Sequence, residues 1–203
     1  MLIHRLIQPK IENKLFKGKI LIIYGARQVG KTTLIKQIQN KYQENSLYLN
    51  CDEPDIRVRL SNATSTALKD FIGGKTLVFI DEAQRVENIG LTLKLMIDNF
   101  PETQIVATGS SSFELSNKIM EPLTGRKHEF LLFPLAMKEL AQTQNAIELK
   151  RILEQRIIYG MYPAAVQNTT DIASIVKNLA TSYSYKDVLN FQGIRNPELL
   201  EKL

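Results

Sequence analysis

The sequence predicts an α/β fold in which a mainly parallel, five-stranded sheet is covered by helices on both faces. Three observations support this prediction. Short apolar runs alternate with helical patterns over residues 1–135. A glycine-rich turn follows the first run, and an Asp-Glu pair ends the third. We therefore expect a core over residues 1–135 and a separate helical region over residues 136–203.

A short amphipathic helix is expected first, with apolar positions from Leu6 to Phe16 and Pro9 in its first turn. The strands after it are short, apolar and rich in β-branched residues, as buried parallel strands are. In chain order the expected strands are residues 19–24, 47–51, 77–81, 104–108 and 129–133.

The first strand and the turn after it form the most informative stretch. Residues 25–33 read Gly-Ala-Arg-Gln-Val-Gly-Lys-Thr-Thr, which contains the spacing G-x-x-x-x-G-K-[ST]. Apolar residues then recur at helical spacing, so a helix is expected to begin near Lys31. Strand, glycine loop and helix follow in the order that a phosphate-binding loop requires.

Each part of this loop has an expected role toward ATP and Mg²⁺. Glycines let the backbone N–H groups curl around phosphate, and the helix N-terminus presents its positive dipole end. We expect the Lys31 ammonium to reach the β- and γ-phosphates and the Thr32 hydroxyl to ligate Mg²⁺. The residues expected to line the nucleotide are Gly25, Ala26, Arg27, Gln28, Val29, Gly30, Lys31, Thr32 and Thr33.

The third strand delivers two acidic residues. A helix over Ser65–Ile72 ends at a Gly-Gly pair, and the strand that follows has four apolar residues before Asp81 and Glu82. Ligands of open α/β sheets bind at this end of the strands. Asp81 is expected to hold the Mg²⁺ shell and Glu82 to polarise the attacking water. Acidic residues can also simply form turns, but the complete phosphate loop favours the functional interpretation.

The last part of the core offers weaker candidates. The fourth strand ends near Thr108 and Ser110, which are candidates for sensing the γ-phosphate, although the serines could merely cap the next helix. Arg126 precedes the fifth strand, where its guanidinium could reach phosphate oxygens of its own or a neighbouring subunit's nucleotide. An ordinary surface arginine is an equal alternative. The expected catalytic residues are thus Lys31, Glu82 and Arg126.

Residues 136–203 are expected to be helical. The expected helices cover residues 136–142, 146–159 and 172–189, with a last piece from Pro197. The segment Gly160–Pro163 is expected to be a tight connection between two of them. We expect these helices to form a lid beside the nucleotide. The last helix has no stop signal, which indicates a fragment of a longer chain.

Composition narrows the cellular setting and the partners. Hydrophobic residues make up 44% of the chain, and Cys51 is its only cysteine, so a reducing, cytoplasmic location is expected without a membrane anchor. Residues 1–41 contain nine Lys/Arg and one acidic residue, a net charge of +8, so the remainder carries 5 − 8 = −3. A nucleic-acid partner therefore stays open, but solvated surface charge is the favoured explanation.

Five stretches share their residues with one known family: residues 25–33, 79–84, 108–111, 123–126 with 133–135, and 160–163. On these residues the sequence resembles a prokaryotic group of AAA-superfamily ATP-binding proteins, the archaeal-type ATPases. The resemblance implies an ATPase core that precedes a winged-helix-like region and a C-terminal domain of unknown function, sometimes likened to a nuclease. It leaves the protein partner unknown and is compatible with a homo-oligomer.

The expected strand order is 5-1-4-3-2. An acidic pair on the third strand must meet the phosphate loop after the first strand, while a polar sensor from the fourth strand should lie between them. The resemblance to AAA proteins implies the same order.

The leading functional hypothesis is an ATP-hydrolysing switch or motor core. The alternative is a regulatory module that holds ADP or ATP with little turnover. A small-molecule kinase fits poorly with the adjacent pair Asp81 and Glu82, and a GTPase is disfavoured because the base-reading pattern Asn-Lys-x-Asp does not occur in the sequence.

Overall fold

A parallel sheet forms the centre of the computed structural model, which describes residues 2–109, 122–168 and 170–181. All pairings in this sheet are parallel, and the strands lie in the order β2-β3-β4-β1-β5. The predicted order 5-1-4-3-2 is thereby confirmed. The strands are β1 (Ile20–Tyr24), β2 (Ser46–Asn50), β3 (Leu77–Asp81), β4 (Gln104–Gly109) and β5 (Lys127–Leu131).

Helices connect the strands and continue after the last one. Before and between the strands, the described residues form the helices α1 (Gln8–Glu12), α2 (Lys31–Gln39), α3 (Pro54–Leu60), α4 (Ser65–Ile72) and α5 (Ile89–Asn99). After the sheet come α6 (Met137–Leu140), α7 (Ala146–Tyr159), α8 (Pro163–Gln167) and α9 (Ile172–Leu179). Among the residues described, no helix combines the length and apolar character needed to cross a membrane.

The central strands are buried on both faces, which explains their continuous apolar sequences. Every residue of β3 and β4 is buried, whereas the edge strands β2 and β5 are partly exposed. One face packs Val78 and Ile80 with Leu68 of α4 and Leu93 of α5. Phe79, which points to the opposite face, is also fully buried. Both faces of the sheet are therefore covered.

Three elements differ from the sequence prediction. Strand β5 pairs from Lys127 onward and so lies two residues earlier than expected, because an edge strand tolerates polar residues that a buried strand would not. Helix α3 was not predicted, since it buries only Leu60 and shows little apolar periodicity. The apolar pattern of residues 86–100 predicts one helix, whereas α5 begins only at Ile89, because Asn88 adopts a left-handed conformation with φ 54°.

The chain divides into two compact units. One runs from His4 to Phe133 and contains the sheet, and the other joins the first residues, up to Ile3, to the chain from Pro134 onward.

The second unit is helical in its described part. Ile3, Leu135 and Leu140 form its small buried cluster. Helix α7 begins with a capping box in which the Asn145 side chain accepts from the N–H of Glu148 at 3.0 Å. Gly160, with φ 73°, ends this helix, and α8 starts at Pro163. The predicted helix over 146–159 and the tight connection after it are both present, whereas the predicted segments beyond residue 181 lie outside the described residues.

Candidate nucleotide-binding site

The glycine loop lies between the carboxyl end of β1 and the start of α2, as the motif spacing predicts. Gly30 is the residue before α2 and has φ 98°, a left-handed conformation that glycine adopts without steric cost. Since Gly30 has no side chain to cap the helix, the first turn of α2 turns backbone N–H groups toward the loop. This arrangement suits an anionic group at the helix N-terminus.

Gly25 is required for a different reason, namely the closeness of another backbone segment. A Cβ atom built on Gly25 would lie 2.2 Å from the carbonyl oxygen of Leu132 and 3.4 Å from Cγ2 of Val29. The Leu132 N–H also donates to the Tyr24 carbonyl at 2.8 Å, so the chain after β5 is fixed against the start of the loop. Any side chain at position 25 would push these two segments apart.

The Lys31 side chain is folded into the loop. Its ammonium donates to the carbonyl oxygens of Gly25 at 3.0 Å and Ala26 at 2.9 Å, and the residue is only 4% exposed. Two carbonyl acceptors offset part of the cost of burying this charge. The remaining loop residues differ in exposure: Ala26, Gln28 and Thr33 are exposed, Arg27 is half-buried and Val29 is buried.

Asp81 is the residue on which the site converges. This buried carboxylate ends β3 and accepts a hydrogen bond at Oδ2 from the Thr32 hydroxyl at 2.7 Å. Its Oδ1 accepts from the hydroxyl of Thr108 on β4. The glycine loop, β3 and β4 therefore meet at one carboxylate, as the predicted strand order requires.

Tyr48 of β2 is a third hydroxyl donor to Asp81, and sequence reasoning missed it. Its hydroxyl lies 2.6 Å from Asp81 Oδ2. Burial is the main reason why the pKa of Tyr48 lies well above its usual range, and the hydrogen bond to Asp81 is the second. The phenol therefore stays a donor. No motif marks a tyrosine in the middle of β2; only the register that pairs Tyr48 with Phe79 brings it to this position.

Glu82 adopts an unusual backbone conformation directly after β3. Its φ is 54°, which is left-handed and sterically unfavourable for glutamate, and its N–H donates to the Thr108 hydroxyl at 3.1 Å. The carboxylate accepts from the Gln84 side-chain amide in the 3₁₀ turn Ala83–Arg85. Such strain is often found at functional sites.

Two further site residues were predicted from the sequence. Ser110 lies outside the described residues. Arg126 lies at the opposite end of the strands from this cluster. Its carbonyl accepts from the N–H of Ile20 at the start of β1, about 16 Å from the loop at the end of that strand. Its side chain pairs with Asp98 at 2.9 Å. Arg126 therefore lies away from the glycine loop of its own chain, and its role toward a nucleotide stays a prediction.

The donor chemistry fits a magnesium ion that shares its ligands with a nucleotide. Among the residues described there is no group of three or more His, Cys, Asp or Glu side chains that could hold a metal by itself. Mg²⁺ in nucleotide sites typically uses one or two protein oxygens plus phosphates and water. The Thr32 hydroxyl gives its hydrogen to Asp81, so its lone pairs can face a cation.

Comparison with known proteins agrees with the fold. An uncharacterized protein of Methanocaldococcus jannaschii, MJ1544, is 31% identical over 95% of this chain and 47% of its own length. The Walker-type ATPase PABY2304 of Pyrococcus abyssi superposes with a TM-score of 0.61 at 15% identity, covering 93% of this chain and 74% of its own. The Aeropyrum pernix Orc1 protein, solved in complex with DNA, gives 0.52 at 11% identity over 76% of this chain and 50% of its own.

Family models account for most of the sequence. Residues 150–203 match a domain of unknown function. The chain spans about half the length of the curated relatives it matches. Residues 17–141, which hold the whole cluster described above, match the AAA domain, and the chain belongs to that family.

Proposed function

We propose that this chain binds ATP together with Mg²⁺ and hydrolyses it. The observation that carries the proposal is the hydrogen bond of 2.7 Å from Thr32 to Asp81. It joins the phosphate-loop residue suited to Mg²⁺ to the carboxylate suited to its water shell. Without a carboxylate beside it, a glycine loop would bind an anion but would offer no site for Mg²⁺.

The remaining residues take roles consistent with their positions. Lys31 supplies a cation inside the loop for the β- and γ-phosphates. Mg²⁺, when bound, would neutralise developing charge, with Thr32 and Asp81 holding it and its water shell. Glu82 is the general base that orients water, and Thr108 is the sensor because it contacts both Asp81 and Glu82. We keep Ser110 as a second sensor and Arg126 as a residue acting on a neighbouring subunit's nucleotide.

A regulatory module with little turnover is the second candidate, and one contact favours it. The Glu82 carboxylate is held by the Gln84 amide rather than being left to water. A base held in this way orients water only after the contact breaks. The two candidates differ in steady-state turnover and not in ATP affinity.

The output of the cycle is a switch or motor action on a partner. Family membership supports this role, and a nucleic-acid partner is one form of it, supported by the net charge of +8 over residues 1–41. Stimulation of ATP hydrolysis by DNA would favour that form, and an unchanged rate would favour a protein partner.

Lys31→Ala tests the proposal. We expect wild-type protein to bind a fluorescent ATP analogue with a Kd in roughly the micromolar range and the variant to lose at least about 100-fold in affinity, because the backbone alone cannot neutralise the phosphates. Titrations with and without Mg²⁺ measure this. Lys41→Ala, an exposed lysine paired with Glu12, is the control. Equal affinity in Lys31→Ala and wild type would refute the assignment.

A further inference from the structure

Arg5 is a buried arginine that contacts the phosphate loop from outside the sequence motif. It is 7% exposed, and its Nη1 donates to the carbonyl oxygen of Val29 at 2.6 Å. Its Nη2 donates to the carbonyl oxygen of Phe133, just after β5. One guanidinium therefore joins the N-terminal segment, the phosphate loop and the chain after β5.

The carbonyl that Arg5 holds lies at a sensitive point of the loop. Val29 is fully buried and sits between Gln28 and Gly30, which both have left-handed backbone conformations, with φ 58° and 98°. No regular helix or strand spans these residues, so the loop conformation depends on contacts from outside it. Lys31 and Thr32 follow directly, and a shift at Val29 would move both.

We propose that Arg5 is a positioning residue that keeps the phosphate loop in its nucleotide-accepting shape before ATP arrives. The inference rests on the proposed function. A loop that samples several shapes loses affinity in proportion to the fraction of time it spends in the competent one. By fixing Val29 from behind, Arg5 keeps that fraction high without touching the nucleotide.

The chemistry of the side chain explains why arginine suits this position. The planar guanidinium presents several N–H donors in a fixed fork, so it can reach two carbonyls on separate segments at once. A lysine carries the same charge on one flexible point and is less suited to holding both. The sheet-containing unit begins at His4 and ends at Phe133. Arg5 and its partner Phe133 therefore lie beside the two points where the chain enters and leaves this unit.

The first test does not depend on ATP. Amide hydrogen exchange of nucleotide-free wild type and Arg5→Met should show faster exchange at residues 26–31 in the variant, with β3 and β4 unchanged. Arg156→Met is the matched control, because Arg156 is also buried, at 6% exposure, and donates to a backbone carbonyl, that of Ala165 at 2.8 Å, in the other unit. The control should leave loop exchange at the wild-type rate.

The second test measures affinity for Mg²⁺·ATP. We expect Arg5→Met to weaken binding about tenfold, Arg5→Lys to weaken it by less, and Arg156→Met to leave it unchanged. If wild type binds no nucleotide, the proposed function fails while the exchange experiment still decides the role of Arg5. If Arg5→Met does not fold, the same two measurements on Arg5→Lys decide. The proposal would be overturned if the Arg5 variant that folds showed the same loop exchange rates as wild type. It would also be overturned if wild type bound ATP and that variant bound it with the same affinity.

Discussion

At the residue scale, the site depends on how the Asp81 carboxylate is shared. Thr32 and Tyr48 both donate to Oδ2, and Thr108 donates to Oδ1. Three neutral hydroxyl groups satisfy a buried charge without neutralising it, since none of them carries a positive charge. The carboxylate therefore keeps its attraction for a cation, which a lysine or arginine partner would have cancelled.

Glu82→Gln should separate binding from hydrolysis. The amide keeps the shape of the side chain but cannot take a proton, while Asp81 still organises the metal, so ATP stays bound and kcat falls about 100-fold or more. Phosphate release and a binding titration measure the two effects. Asp81→Asn should weaken the Mg²⁺-dependent binding as well, and Glu87→Gln, at an exposed position, is the control. Wild-type turnover by Glu82→Gln would place water activation on another residue.

Gln84→Ala should raise turnover if Gln84 restrains the base. The Gln84 amide donates to the Glu82 carboxylate, and a hydrogen bond to a charged group must be broken before that group can orient water. We expect kcat to increase about threefold, a barrier lowered by about 0.65 kcal/mol, with ATP affinity unchanged. Steady-state ATPase assays measure this, with the exposed Gln43→Ala as control. An unchanged or lower kcat would argue against a restraining role.

The site residues predicted from the sequence lie in short motifs or at the ends of predicted strands, whereas Tyr48 and Arg5 lie in neither place. Lys31, Thr32 and Asp81 lie in or beside short motifs whose function requires that order. Tyr48 and Arg5 join the same site through strand register and through the path of the N-terminal segment. Neither residue belongs to a local pattern, so only three-dimensional placement could reveal them.

At the element scale, the close approach of β5's end to the loop explains why Gly25 cannot carry a side chain. In Gly25→Ala the new Cβ would lie 2.2 Å from a backbone oxygen of Leu132, which cannot rotate away. We expect the free energy of unfolding to fall by about 3 kcal/mol. Urea denaturation measures this loss.

Gly18→Ala is the matched control for that change. Gly18 has φ 68°, but a Cβ atom added there would meet no other atom within 4 Å, so only the left-handed conformation costs energy, about 1 kcal/mol. Equal losses in the two variants would mean that the chain after β5 moves away easily, and that its contact with the loop does not constrain position 25.

The limits of sequence prediction at this scale follow from burial. Strands β3 and β4 are buried on both faces, and their apolar runs marked their positions to within a residue. Strand β5 lies at the sheet edge, where Lys127 and His128 are tolerated, and its predicted position was two residues late. Apolar periodicity in a sequence indicates which faces are buried. It therefore predicts the positions of edge strands and of mostly polar helices such as α3 less accurately.

At the scale of the whole molecule, the sheet-containing unit holds the candidate ATP site, and a lid role for the helical unit would require ATP to influence it. One of the two chain crossings between them, at Phe133–Pro134, follows Leu132, whose backbone lies close to Gly25. The order of the strands was predictable because the proposed function requires the ends of β3 and β4 to meet the glycine loop after β1. A lid role for the helical unit stays a prediction.

Limited trypsin digestion tests that role. Lys150 and Arg151 are exposed on α7, and cleavage inside a helix requires local unfolding, so its rate reports the stability of that region. If the helical unit acts as a lid, Mg²⁺·ATP should order it and slow cleavage at these two residues in wild type. The Lys31→Ala variant, which loses ATP affinity, should be cleaved at one rate with or without nucleotide. A wild-type cleavage rate that ATP leaves unchanged, at saturating occupancy, would mean that the helical unit does not sense the nucleotide.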